Sequence, residues 1–220
     1  MAGSFVKRAL LVVAGSIALA LGFVAAQPGE LAVTRETTIA APVDLVIAYV
    51  EDFRRWPAWS PWERAGTDLR RELAGPPAGA GATYRWDARG ESNAGSVTIA
   101  EVVPLQKVTI ELGLSAPIQT TGEMTFSLEP VGASTRLRWS LRGRRSFREK
   151  LASLGSDVPA ELSSHLELGL AALARVSEAD AARWREEMLR DAGAAASAEA
   201  AAAEAARRRG APSSATASPE

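Results

Sequence analysis

The stretch Lys107-Val108-Thr109-Ile110-Glu111-Leu112-Gly113-Leu114 decides the fold. Val108, Ile110, Leu112 and Leu114 fall on every second position, with Thr109 and Glu111 between them. A strand sends successive side chains to opposite faces, so this segment has an oily side and a wet side. The same alternation runs outward both ways. Upstream it covers 83–88 and 96–103, with Val97, Ile99 and Val103 in phase; downstream it covers 122–129, with Met124, Phe126 and Leu128, and 135–142, with Leu137, Trp139 and Leu141. Gly90, Gly95, Pro104, Pro117, Pro130 and Gly132 punctuate the runs, as tight antiparallel links require. Short links between successive strands mean a meander, not βαβ units. The opposite positions hold Thr98, Glu123, Thr125, Arg136, Arg138 and Arg142. The predicted sheet is therefore covered on a single face.

The predicted cover is a helix over 159–188. Leu162, Leu166, Leu170, Leu173 and Val176 form a stripe at helical spacing, away from Glu161, Ser164, Glu167 and Arg175. Gly169 interrupts it, either to let the helix approach a strand closely or to leave room beneath. Before the meander, 32–39 reads as a first strand and 68–73 as a weak one. Val43, Val46, Ile47 and Val50 make a short helix with Pro42 in its first turn. A second short helix, continuing from Glu51, ends at Trp56-Pro57-Ala58-Trp59-Ser60-Pro61-Trp62, which carries three of the six tryptophans. Its prolines predict an extended, angular path that presents three indoles.

Composition narrows the classes. The chain has 220 residues, no cysteine, one histidine and a formal net charge of −1. Near-neutral charge argues against a nucleic-acid binder, and the absence of thiols excludes disulfides and thiolate metal sites. No cofactor or metal is expected. Lys7-Arg8 precedes an uncharged apolar run, 9–26. A membrane span needs roughly 17–25 residues, so the run reads as a single-pass anchor, or as a signal peptide cleaved after Val24-Ala25-Ala26. The flanking cations keep the N-terminus inside. The expected location is a bacterial inner membrane with the domain on the outer side, or secretion after cleavage. Three parts follow: 1–30 as anchor or signal, 31–190 as the folded domain, and 191–220 as an alanine-rich tail expected to be disordered, with a solvated helix over 192–206 as an alternative for part of it.

The wording in detail resembles a known family. Ile39-Ala40-Ala41-Pro42 enters the first helix, and Trp56…Trp59-Ser60-Pro61-Trp62 follows it. Gly79-Ala80-Gly81-Ala82-Thr83-Tyr84-Arg85-Trp86 and Gly95-Ser96-Val97-Thr98-Ile99 open strands. Phe126-Ser127-Leu128-Glu129-Pro130, Thr135-Arg136-Leu137-Arg138-Trp139 and Glu167-Leu168-Gly169-Leu170-Ala171-Ala172-Leu173 complete the match. Over about 33–178 the chain resembles the polyketide cyclase/dehydrase and lipid transport branch of the START-like, or SRPBCC, superfamily. The resemblance implies an α+β helix-grip fold, a curved antiparallel sheet of about six or seven strands wrapped around a long C-terminal helix. It also implies a cavity between sheet and helix that takes a hydrophobic or amphipathic, lipid-like molecule.

The expected lining is Trp56, Trp59, Trp62, Tyr84, Trp86, Ile99, Ile110, Leu112, Met124, Phe126, Trp139, Leu166 and Leu170. Each of the aromatics has an alternative role in plain core packing. Glu101 is in phase with Val97, Ile99 and Val103, so burial would raise its pKa and fit it for acid–base work; the alternative is a rim carboxylate paired with a cation. His165, beside Leu166, is the other catalytic candidate. Arg142, Arg144, Arg145, Arg148 and Lys150 form a basic cluster that suits phosphate headgroups or is a solvated loop. Three functions compete: a membrane-anchored carrier, a cyclase/dehydrase-type enzyme, and an accessory protein docking a membrane partner through its tryptophans and basic loop. No protein partner is identifiable.

Overall fold

The computed structural model describes residues 2–64, 69–88, 94–116, 120–153, 155 and 157–210. The turn glycine Gly90, the turn proline Pro117 and tail residues 211–220 lie outside them. The chain divides into two compact units, Met1–Glu178 and Ala179–Glu220.

The first unit begins with helix α1, Ala2–Ala26, followed by strand β1, Glu30–Ile39, and helix α2, Val43–Val50. Two 3₁₀ helices, Phe53–Ala58 and Pro61–Arg64, lead to strands β2 (Leu69–Ala74), β3 (Thr83–Ala88), β4 (Ala94–Val103), β5 (Lys107–Ala116), β6 (Thr120–Val131) and β7 (Ser134–Arg144). Helix α3, Phe147–Ala152, precedes helix α4, Val158–Gly210. The strands form a seven-stranded sheet in the order β1-β7-β6-β5-β4-β3-β2, with every neighbouring pair antiparallel. The meander and the α+β class thus stand as expected, and β1 closes on β7.

Register carries the apolar phase across the strands. Val108 lies opposite Phe126, Phe126 opposite Trp139, and Trp139 opposite Arg35. In the next row Ile99 faces Ile110, Ile110 faces Met124, Met124 faces Leu141, and Leu141 faces Val33. Val33, Ile99, Ile110, Met124, Phe126, Leu137, Trp139 and Leu141 are buried, and each such side chain stabilises the fold by about 1.5–3 kcal/mol. The other face is wet and cross-linked. Arg138 meets Glu36 at 3.0 Å, Arg136 meets Glu129 at 2.9 Å, and Lys107 meets Glu101 at 2.8 Å.

Within the first unit α4 supplies the apolar cover. Leu166, Leu170 and Leu173 are buried, at the spacing of one helix face. Gly169 resolves the alternative left by the sequence. A Cβ there would stand 2.6 Å from Cζ3 of Trp139 and 3.0 Å from Cδ of Pro61. The glycine permits close approach, and the indole occupies the space beneath it. At the far side, Thr135 Oγ1 donates to the carbonyl of Ala41 at 2.8 Å, and the amide of Ala40 donates to Glu178 Oε1 at 2.9 Å. These bonds tie the turn before α2 to β7 and α4.

Several expectations change. The tryptophan segment is not extended: both of its prolines sit in 3₁₀ turns, Pro57 inside the first and Pro61 opening the second. A short i→i+3 turn tolerates proline better than a long α-helix, and Asp52 caps the first turn by accepting from the Arg54 amide at 2.9 Å. In the alanine-rich tail, expected to be disordered or, over 192–206, a solvated helix, the helical alternative holds: 191–210 continues α4. Alanine has the best helix propensity, and this segment is rich in it. The second unit, Ala179–Glu220, is described only as this helix, and Trp184, Met188 and Leu189 are exposed on it. Finally, the spanning helix expected over 9–26 is not established: among the described residues, no helix is long and apolar enough to cross a membrane.

Candidate ligand-binding site

The 3₁₀ turns hold the tryptophans by their nitrogen atoms. Trp56 Nε1 donates to the carbonyl of Val50 at 3.1 Å, and Trp59 Nε1 donates to that of Tyr49 at 3.0 Å. Both carbonyls lie in the last turn of α2, where helix geometry leaves acceptors open. Trp56 and Trp59 are buried, whereas Trp62 remains half-buried. Their rings continue into the sheet. Trp56 to Trp59, Trp59 to Trp139 and Trp62 to Trp139 are edge-on at 5.3, 5.7 and 5.4 Å between centroids; Phe126 stacks on Trp139 at 4.8 Å. Each such pair adds about 0.5–1.5 kcal/mol beyond its buried area. One end of the oily face is thus sealed by the protein's own aromatic rings, where the sequence suggested an open pouch.

The other end is less covered. Trp86, Leu112 and Leu114 belong to the oily face, yet all three are half-buried. Trp86 extends across its register partner Gly95, where a Cβ would lie 2.4 Å from Cζ2 of the indole. Two open grooves border this end. One, of about 900 Å³, is lined mainly by Arg70, Glu72, Arg85, Asp87, Ser96 and Thr121, with Trp86 and Leu114 also in its lining. The second, of about 910 Å³, is lined mainly by Glu30, Thr98, Glu111, Glu123, Arg142 and Arg144, with Leu31 and Leu112 among its other residues. Most of their lining is in the wet phase of the register, so both grooves lie on the face opposite the one that α4 covers. Of the expected lining, Trp62, Trp86 and Leu112 are half-buried, while Trp56, Trp59, Tyr84, Ile99, Ile110, Met124, Phe126, Trp139, Leu166 and Leu170 are packed inside.

A polar group that the sequence reading missed lies between the tryptophans and the β2–β3 edge. Glu63 follows Trp62 directly, and its side chain is only 5% exposed. Tyr84 donates its hydroxyl to Glu63 Oε1 at 2.5 Å, and Arg71 Nε donates to Oε2 at 2.7 Å. Burial, reinforced by the bond to Glu63, pushes the Tyr84 phenol well above its ordinary value; the same carboxylate raises Arg71. A second charged contact joins β1 to α4, with Arg35 Nε 2.6 Å from Glu167 Oε1. The available signal was phase: Arg35 alternates with Val33, Thr37 and Ile39, and Arg71 with Leu69 and Leu73.

The two catalytic candidates stand apart from this group. The β4–β5 register shifts between Ile99 and Glu101, and Glu101 lies opposite Thr109 on the wet face. A bulge of this kind reverses the alternation. Glu101 is therefore not buried in the apolar phase, but exposed and paired with Lys107. His165 is exposed as well, with Nδ1 2.9 Å from the Glu161 carbonyl and its ring stacked on Trp62 at 6.4 Å. Among the described residues, no group of three or more His, Cys, Asp or Glu is placed to hold a metal. Trp139 Nε1 and Ser60 Oγ are buried without a hydrogen-bond partner among the described residues. Each such group costs about 1–3 kcal/mol.

Comparison with known proteins agrees with this architecture. A protein from Chromobacterium violaceum has a similar structure, with a TM-score of 0.51 and 17% identity, over 69% of this chain and 99% of its own. A hypothetical protein from Helicobacter pylori matches with a TM-score of 0.51 and 11% identity, over 67% of this chain and 88% of its own. At such identities the likeness shows the fold alone. No curated protein matches the chain. The family model described as polyketide cyclase / dehydrase and lipid transport matches residues 30–178, the whole sheet with α3 and the first part of α4. The chain belongs to that SRPBCC-type family.

Proposed function

We propose that this protein binds a hydrophobic or amphipathic, lipid-like small molecule and holds or carries it at a bacterial membrane, without chemically altering it. One observation carries the reading. The oily face is sealed by aromatic rings at one end and stays half-exposed at Trp86, Leu112 and Leu114 at the other. Sites for such ligands are concave and mostly apolar, with few polar groups for orientation. The family description, which names lipid transport, supports the same reading.

The polar group argues for binding over catalysis. Both oxygens of Glu63 are engaged, and the raised Tyr84 phenol stays protonated near neutrality, so neither moves a proton readily. Glu101 and His165 do not converge with them. The cyclase/dehydrase alternative would require turnover that depends on Glu63 or Tyr84.

Native mass spectrometry of the full chain, purified gently from membranes, is expected to show a co-purified lipid-like guest. Trp86→Ala and Leu112→Glu are each expected to weaken binding of an apolar fluorescent probe about tenfold, the loss of roughly 1.5 kcal/mol of buried apolar contact. An empty protein that ignores apolar probes would overturn the reading.

Membrane attachment through α1 is part of the proposal. Residues 9–26 carry no charge, Lys7-Arg8 precede them, and Leu10, Leu11, Val12, Val13, Ile17, Leu19 and Phe23 are exposed. A short apolar stretch is accommodated by local thinning of the bilayer and by snorkelling of flanking cations. The orientation that follows puts the folded domain on the outer side of the inner membrane. Alkaline carbonate should leave the full chain in the membrane pellet; release into the supernatant, or a mature protein starting at Gln27, would exclude an anchor.

A further inference from the structure

We infer that α3 is an interfacial helix that lies on the anionic headgroup layer of the same bilayer and turns the half-open end of the sheet toward it. The inference rests on the proposed membrane attachment of α1 and adds a second contact.

The geometry begins where α1 ends. Val24, in its last turn, is buried, and α1 packs against α3. Lys150 Nζ donates to the carbonyl of Gln27 at 2.6 Å, and the amide of Arg145 donates to that of Gly29 at 2.7 Å. Lys150 is itself buried in this joint. The two bonds pin α3 beside the first residues after α1, so a bilayer entered by α1 lies at the level of α3. A capping box fixes its start: Glu149 N donates to Ser146 Oγ at 3.3 Å, and Ser146 N donates to Glu149 Oε2 at 2.5 Å.

What α3 shows to the outside fits one occupant. Phe147 and Leu151 are 44% and 43% exposed and lie one helical turn apart. Arg148 between them and Arg144 just before them are exposed as well. Apolar side chains flanked by arginine on a short helix suit the boundary between acyl chains and phosphate headgroups. Anionic lipid supplies the complementary charge. Arg142 and Arg144 also line the groove that reaches Leu31 and Leu112. Docked in this way, the half-buried Leu112 and Leu114 at this end of the oily face turn to the membrane surface, where a lipid-like guest would be exchanged.

The absence of cysteine allows a direct test on the full chain. Single cysteines replace Ile17 in α1, Leu151 in α3 or Leu168, exposed on α4, and each carries a nitroxide whose oxygen and nickel-chelate accessibilities report depth. The protein is reconstituted in phosphatidylcholine vesicles with or without phosphatidylglycerol. The label at 151 is expected at the headgroup–acyl boundary in the anionic vesicles, with that at 17 deeper and that at 168 in water. Combining Arg144→Glu with Arg148→Glu should lower the docked fraction at 151 roughly tenfold or more, with the label at 17 unmoved and the thermal midpoint unchanged. A label at 151 in water while 17 lies in lipid overturns the α3 contact and leaves the anchor standing. Water at both positions overturns both. A signal at 151 that is equal in neutral vesicles and indifferent to the double arginine change overturns the proposal too, because the anionic headgroup is part of it.

Discussion

Gly169 sits over the indole of Trp139, so close that a Cβ at position 169 would stand 2.6 Å from Cζ3 and 3.3 Å from Cη2. Trp139 has little room to yield, with Phe126 stacked on one side and Trp59 and Trp62 edge-on. Two opposing effects meet in Gly169→Ala. Helix propensity gains about 1 kcal/mol, and overpacking costs about 1–3 kcal/mol. The expected net result is a loss of about 1 kcal/mol, read as a lower denaturant midpoint. A raised midpoint would mean that the indole gives way freely.

Tyr84 makes stability fall at alkaline pH. Its folded pKa lies above the ordinary 10.0, through burial first and the bond to Glu63 second. The folded protein therefore keeps a proton that the unfolded chain releases. This contribution is complete below the unfolded value and is lost as pH rises from there through the folded value. Tyr84→Phe should cost about 1–2 kcal/mol at neutral pH, the price of one buried hydrogen bond to a carboxylate, and should flatten the alkaline slope. Urea titrations across that range check it; an unchanged slope would assign the alkaline loss to other groups.

Asp52 acts at the opposite end of the pH scale. Its carboxylate accepts from the Arg54 side chain and backbone amide, and these hold its pKa below the ordinary 3.8. A depressed folded pKa stabilises above the unfolded value and loses that stabilisation as pH falls through the folded one. Asp52→Ala should cost about 1 kcal/mol at neutral pH by removing the cap of the 3₁₀ turn. Asp52→Asn should keep most of the cap and reduce the acid sensitivity. Equal losses in both variants would show that charge, rather than capping, dominates.

The Arg35–Glu167 contact should matter little by itself. Its side chains are 39% and 61% exposed, and exposed pairs contribute about 0–1 kcal/mol. A double-mutant cycle with Arg35→Gln and Glu167→Gln is expected to give a coupling below about 1 kcal/mol that shrinks with added salt. A coupling of several kcal/mol, insensitive to salt, would mark the pair as a buried clamp between β1 and α4.

The comparison of sequence with structure turns on phase. Val108, Ile110 and Leu112 could be placed because strict alternation leaves one face for burial, and Leu166, Leu170 and Leu173 because a helix repeats every 3.6 residues. Glu101 could not, because the single-residue register shift after Ile99 leaves no trace in the pattern and yet turns the carboxylate to the other face. Arg35 and Arg71 stand in apolar phase, and an in-phase cation in a strand signals a partner reaching from another element, here Glu167 and Glu63.

Local pattern by itself determined the meander, its one-sided oily face and the helix that covers it, because burial rewards the same spacing wherever it occurs. Tertiary structure alone decided that Trp139 fills the space under Gly169, that Glu63 joins Tyr84 and Arg71, and that α3 is bonded to the chain leaving α1. Those contacts join side chains from different elements, and their formation depends on how the elements dock in three dimensions, which no periodicity along the chain encodes.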